Sequence, residues 1–205
     1  MPRAILKTVV GANNRNMTAQ DLSTYLGLLA IGLLTFNILL GLLISVRYQA
    51  KKHFPYLRIN IFKIHNWTGY IALGVVFSHP VLLLFSKTAG FGIIDIAVPL
   101  WSPTQASINT LGAIAFYLLA FVVVTSYYRV RIGRRLWKSF HYAGYAAAVL
   151  FFIHGIWTDP YLQNSALDPF DAEKVFVELC FLAVIIGVSL RLRYAWRKEK
   201  RAAIF

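Results

Sequence analysis

The chain is poor in the residues that soluble chemistry relies on. It has one cysteine, Cys180, so it forms no intrachain disulfide and carries no cysteine-based metal or iron–sulfur motif. That thiol lies in an apolar run and reads as a small buried hydrophobe. Asp and Glu together number 8, and charged residues of both signs make up 14% of the chain, too few to clothe a water-soluble domain of this size. No glycine-rich strand–helix unit of the dinucleotide-binding kind occurs, so neither flavin nor nicotinamide binding is expected of this chain. No cleavable leader is expected, because the first apolar stretch is too long and follows some twenty mixed residues.

What the chain has is hydrocarbon. Hydrophobic residues make up 58% of the sequence, and mean hydropathy is +0.59. Five runs of about 20 apolar residues, at 23–46, 62–85, 108–128, 137–157 and 172–192, each have the length of a membrane crossing. They predict an all-α integral membrane bundle of five transmembrane helices. Residues 1–22 precede it as an interfacial or disordered segment, with Ile5, Leu6, Val9 and Val10 at helical spacing. The bundle occupies 23–193, and a basic tail occupies 194–205. Loops at 47–61, 86–107 and 158–171 contain prolines, and Trp67, Trp101, Trp137 and Trp157 fall at span ends.

The formal charge of +13 is distributed by side. Arg47, Lys51, Lys52, Arg58 and Lys63 lie between runs one and two. Arg129, Arg131, Arg134, Arg135 and Lys138 lie between three and four, and Arg191 to Arg201 follow five. The other two loops hold Lys87 with Asp95, and Asp159, Asp168 and Asp171. This positive-inside pattern places the C-terminus in the cytoplasm and the N-terminus outside. Because each basic cluster abuts an apolar span, lipid rather than nucleic acid is the expected contact.

Four of the five histidines lie inside apolar runs. His65 and His79 are fourteen positions apart in the second run, and His141 and His154 thirteen apart in the fourth. An ionisable side chain at membrane depth is a functional candidate by default. Fourteen helical positions give about 21 Å of rise and only about 40° of rotation, so His65 and His79 face one neighbour at two depths. Runs two and four cross in the same direction, so depth pairs His65 with His141 at the inner level and His79 with His154 at the outer. Four imidazoles so placed are the axial ligands that two stacked haems need. Thirteen positions, however, rotate a regular helix by about 140°, which a local π-bulge or kink, helped by Gly144 or Gly155, or a haem held at a different azimuth would resolve.

The cations near the inner level, Arg58, Lys63, Arg134, Arg135 and Lys138, are candidates for the haem carboxylates. At the outer level Lys87 is the evident one, with Tyr, Trp or backbone donors as substitutes. His53, in the basic loop, reads as interfacial. Other readings of the four imidazoles are hydrogen-bonded core histidines, metal transport and a proton relay. The last two lack carboxylates deep in the His-bearing helices.

The stretches IHNWTGYIALGVVFSHPVLLL and TSYYRVRIGRRLWKSFHYAGYAAAVLFFIH resemble the ferric reductase-like transmembrane domain. That family includes ferric reductases, the membrane part of NADPH oxidases and small bacterial haem subunits. The resemblance spans roughly residues 23–193. It implies two b-type haems with bis-His ligation by His65, His141, His79 and His154, and transmembrane electron transfer. Larger members continue into flavin and nicotinamide domains. Here the sequence stops about a dozen residues after the fifth run, so the electron donor is expected to be a separate reductase, a quinol or a larger redox complex. Five spans instead of six fits loss of a leading helix. Closed axial positions favour outer-sphere transfer to an outside acceptor over oxygen activation. The alternative is a haem-containing membrane anchor or assembly subunit without a catalytic role. Location in a bacterial plasma (inner) membrane is the corresponding expectation.

Overall fold

The computed structural model describes residues 17–48, 59–86, 89–159 and 170–202. Among them every regular element is helical. In chain order they are α1 (Ala19–Ser45), α2 (Ile61–Val81) continued by a 3-10 turn (Leu82–Phe85), and the short α3 (Ile93–Ala97). After a second 3-10 turn (Pro99–Trp101) come α4 (Ala106–Tyr127), α5 (Arg129–Ile132), α6 (Arg134–His141), α7 (Ala143–Trp157) and α8 (Ala172–Ala202). Five of these units are long and apolar enough to cross a membrane, α6 and α7 counting together. The helical bundle expected from hydropathy is therefore present, with ends within a few residues of the predicted ones. The exception is α8, which runs on through the basic stretch that begins at 194. The Ile5–Val10 segment lies outside the described residues.

Local chemistry sets the starts of the helices. Thr18 caps α1 in a reciprocal box: its hydroxyl accepts from the Asp21 amide at 3.1 Å, and Asp21 accepts from the Thr18 amide at 2.9 Å. Asn60 caps α2 by accepting from the Lys63 amide at 3.0 Å. Gln105 enters α4 with φ 49, and its side-chain amide pairs with the backbone N–H and C=O of Asp159 at 2.8 and 2.9 Å. The start of α4 is thus tied to the end of α7.

The irregularity in the fourth span is at Tyr142, not at Gly144 or Gly155. There α6 gives way to α7 through i→i+3 bonds, Tyr142 N–H to Ser139 C=O and Tyr145 N–H to Tyr142 C=O. A 3-10 step rotates by about 120° rather than 100°, which re-aims the remainder of the span.

The contacts define the directions. Ser23 meets His79 and Asn37 meets His65, so α1 and α2 are antiparallel. Ile108 meets His154 on α7 and Ser126 meets His141 on α6, so α4 is antiparallel to the α6–α7 span. α8 lies along α1 in the same direction, with Phe176 against Gly32 and Leu39 against Gly187. One end of the bundle carries Lys63 and Arg129 to Lys138; the other carries Asp21, Asp159, Asp171 and Glu173. The buried core is a single cluster of small and aromatic residues, among them Val76, Ala115, Leu119, Ala147, Phe151 and Phe152. Exposed positions are apolar as well, including Leu29, Phe36, Val124 and Leu179. Such a surface is stable against lipid chains, not water.

Helix contact in lipid depends on small residues that let backbones approach. A Cβ on Gly187 would come within 2.9 Å of Leu39 and 3.0 Å of Leu42. Gly187→Val should therefore cost about 1–3 kcal/mol through overpacking, read as a lower melting temperature in detergent. An unchanged melting temperature would mean that α1 and α8 are not in close contact.

Candidate functional site

The structure brings the four membrane histidines together in two pairs. The ring centroids of His65 and His141 are 6.2 Å apart with planes crossed by 68°. Those of His79 and His154 are 6.4 Å apart with planes crossed by 72°. The first pair forms between α2 and the end of α6, at the basic end of the bundle. The second forms between α2 and α7, at the acidic end.

Each ring is held from behind by the neighbouring helix. His79 Nδ1 lies 2.7 Å from the Ser23 carbonyl, and the Ser23 hydroxyl donates to the His79 carbonyl at 2.8 Å. His65 Nδ1 lies 3.1 Å from the Asn37 carbonyl, and the Asn37 amide donates to the His65 carbonyl at 2.6 Å and to the Thr68 hydroxyl at 2.7 Å. His154 Nδ1 lies 2.9 Å from the Ile108 carbonyl. A carbonyl only accepts, so these three Nδ1 atoms carry the proton, and Nε2 is left as the bare nitrogen.

The residue four positions after each accepting carbonyl is glycine: Gly27, Gly41 and Gly112. A Cβ at these places would come within 3.1 Å of His79, 3.4 Å of His65 and 2.9 Å of His154. The ring occupies the space a side chain would take. The spacing is shared across the helices: Ser23 and Asn37, Gly27 and Gly41, and His65 and His79 are all fourteen apart. The fourth ring departs from the pattern. His141 Nδ1 faces the Ser126 hydroxyl at 3.2 Å, and Trp137 donates its indole N–H to that same oxygen at 3.2 Å. Trp137 also lies beside the His141 ring, centroids 5.2 Å apart.

A cavity of about 480 Å³ opens at the acidic-end pair, lined by His79, His154, Phe91, Phe116, Phe151 and Lys174 among others. The α3 segment borders it and is held to α4 by the Tyr117 hydroxyl, which donates to the Ala97 carbonyl. Lys174 is only 6% exposed. Its ammonium donates to the Gly155 carbonyl at 3.3 Å and to the Thr158 carbonyl, capping the end of the helix that carries His154.

The predicted cations fall as follows. Lys63 is on the first turn of α2, and Arg134, Arg135 and Lys138 are on α6, all exposed at the end of the His65–His141 pair. Lys138 lies over the Tyr142 ring at 5.9 Å. Arg129 lies over Phe62 at 4.9 Å and joins α5 to α2. Arg58, His53 and Lys87 lie outside the described residues. Lys174 was not among the expected cofactor cations, nor were Ser23, Asn37, Ser126 and the three glycines among the expected site residues. The fourteen-residue echo of the His65–His79 spacing in the first run was the available signal for the α1 residues.

A family model described as ferric reductase like transmembrane component matches residues 26–152, a range that holds His65, His79 and His141 and stops two residues before His154. No match was found among curated proteins or among solved structures.

The glycine cradle separates two otherwise similar substitutions. Gly112→Ala should push His154 off the Ile108 carbonyl and cost about 1–3 kcal/mol. Gly74→Ala, whose Cβ would meet nothing within 4 Å, should be neutral or slightly stabilising. Melting curves of the two variants in one detergent check this; equal behaviour would remove the cradle.

Proposed function

The chain belongs to the ferric reductase-like transmembrane family, and from that premise we propose that it is a di-haem b-type cytochrome subunit. Such a subunit carries electrons across a membrane between a separate donor and an acceptor on the far side. The coarser part, a membrane redox component, follows from the family itself.

The observation that carries the finer reading is the spacing of the two imidazole pairs. Two metal–imidazole bonds of about 2.0 Å, with about 1.1 Å from each coordinating nitrogen to its ring centroid, put trans imidazole centroids about 6 Å apart. Both pairs stand at that separation, 6.2 and 6.4 Å, and three of the rings have Nε2 freed by an Nδ1–carbonyl bond. The donor set points the same way. Among the described residues no group of three or more His, Cys, Asp or Glu converges. Two imidazoles are half of what a bare transition-metal ion takes but would suffice for an iron that a haem brings already held.

Bound haem supplies one-electron iron chemistry. The residues of the chain do the rest. His65 with His141 and His79 with His154 would hold the two haem irons, and ligation by two imidazoles would disfavour binding of oxygen. The carbonyls of Asn37, Ser23 and Ile108 fix the tautomer and strengthen imidazole donation. Lys174 places one buried positive charge at the acidic-end cavity, suited to a haem carboxylate. Lys63, Arg134, Arg135 and Lys138 offer the corresponding charges at the other end, with Arg58 nearby in sequence. The same cationic surface marks the cytoplasmic side by the positive-inside rule and suits contact with lipid headgroups or an acidic redox partner.

The purified protein should show b-type absorption with about two haems per chain; no Soret band from a haem-replete host would end this reading. His65→Ala or His141→Ala should remove one haem, and His79→Ala or His154→Ala the other. Equal loss of both from every single variant would contradict two independent sites.

Lys174→Ala should weaken retention of the haem held by His79 and His154 and leave the other in place, as read by haem stoichiometry after detergent washing. Unchanged retention would remove the carboxylate role of Lys174.

A further inference from the structure

Three of the four membrane histidines share one cradle: an accepting carbonyl at one position of the neighbouring helix and a glycine four positions later. Ile108 and Gly112 make it for His154. Fourteen positions further along α4 stand Val122 and Ser126, where the same cradle for His141 would fall. Serine there replaces glycine. Its hydroxyl sits 3.2 Å from His141 Nδ1 and takes the place of the carbonyl as partner. The Thr125 hydroxyl lies 2.7 Å from the Phe121 carbonyl and 3.1 Å from that of Val122.

The substitution changes the chemistry of the partner. When Nε2 of His141 is the donor atom, Nδ1 keeps its proton and Ser126 Oγ must accept it. That oxygen already accepts the Trp137 indole N–H at 3.2 Å. Each cradle carbonyl also shares its oxygen, with the amide of its own helix, but an amide carbonyl is a stronger acceptor than a hydroxyl, so a serine oxygen divided between two N–H groups draws on His141 less strongly than the carbonyls draw on the other rings. His141 is therefore the least electron-rich of the four imidazoles. A less basic axial ligand favours the reduced metal, because outer hydrogen bonds set ligand strength.

We infer that Ser126, held by Trp137, is a tuning residue that raises the reduction potential of the His65–His141 site above what the shared cradle would give. This rests on the haem reading above.

The test is optical potentiometry of the full chain in detergent, with the wave of this site identified as the one His65→Ala abolishes. Ser126→Gly rebuilds the cradle and lets Nδ1 reach the Val122 carbonyl, so that wave should move to lower potential. Ser126→Ala removes the acceptor while its Cβ still blocks the ring from the carbonyl, so the wave should move to higher potential. Trp137→Phe frees Ser126 Oγ for His141 alone and should move the wave down. The His79–His154 wave should stay fixed in all three. Shifts of one sign in both serine variants, as a merely structural role would give, overturn the inference. If the serine variants do not fold, Trp137→Phe decides: a downward shift supports the inference, and no shift or an upward one overturns it. Wild-type protein without haem absorption overturns the haem reading and this inference with it; two haems with unmoved potentials overturn this inference alone.

Discussion

The bond on which the arrangement depends is the one between an imidazole Nδ1–H and a main-chain carbonyl of the next helix. Each is worth only about 0.5–1.5 kcal/mol of net stability, so its importance is not in holding the bundle together. It fixes which nitrogen carries the proton and in which direction the other points. A carbonyl inside a regular helix is normally consumed by the amide four residues on. It takes a second donor only where no Cβ stands in the way, so the glycines at 27, 41 and 112 are as necessary as the oxygens. With α1 behind α2 and α4 behind α7, the rings are pressed toward the seam between α2 and the fourth span.

The glycines of this chain divide by what they admit. Gly27, Gly41 and Gly112 admit an imidazole. Gly32, Gly155 and Gly187 admit side chains of a neighbouring helix: Phe176 for the first, Ile31 and Val177 for the second, Leu39 and Leu42 for the third. In water such seams would be driven by burial of apolar area, but in hydrocarbon the helices gain little from hiding leucine from lipid. Close packing and a few interhelical polar bonds must decide the partners. The Asn37 amide, the Ser23 hydroxyl and the Gln105–Asp159 pair serve both purposes, because they join helices and position the histidine carriers.

Hydropathy made the five crossings legible, since the cost of an unpaired backbone in lipid leaves a chain of this composition few alternatives. Depth and direction made the pairing of the histidine positions legible in advance. The thirteen-residue spacing of His141 and His154 called for a local irregularity, but its place was not readable. Glycine was the natural suspect, and the structure instead tightens one turn at Tyr142, within the aromatic run Phe140–His141–Tyr142. The supporting residues were harder to see, because Ser, Asn and Gly in an apolar helix look like ordinary membrane packing until their spacing is compared with that of the histidines. Lys174 was hidden for a different reason. At the head of a span, beside Asp171 and Glu173, a lysine reads as a boundary charge. Only the close approach of α8 to the end of α7 shows its ammonium turned inward onto the carbonyls of Gly155 and Thr158.

The two ends of the bundle differ in the kind of charge they present. At the acidic end one buried ammonium borders a mostly apolar cavity that Glu173 and Asp95 also line, where a charge is less screened than at the surface. At the basic end the cations are numerous but exposed, and each is screened by solvent and lipid headgroups. Surface cations of that kind steer an approaching partner more than they set the energetics of a buried site. On the proposed reading the two levels would then be adjusted by different means. Lys174 would act on the acidic-end site through its charge, and Ser126 with Trp137 would act on the basic-end site through the hydrogen bond behind His141. A bundle whose α2 carries its two histidines in nearly the same direction needs such local differences if the two sites are not to be electronically alike.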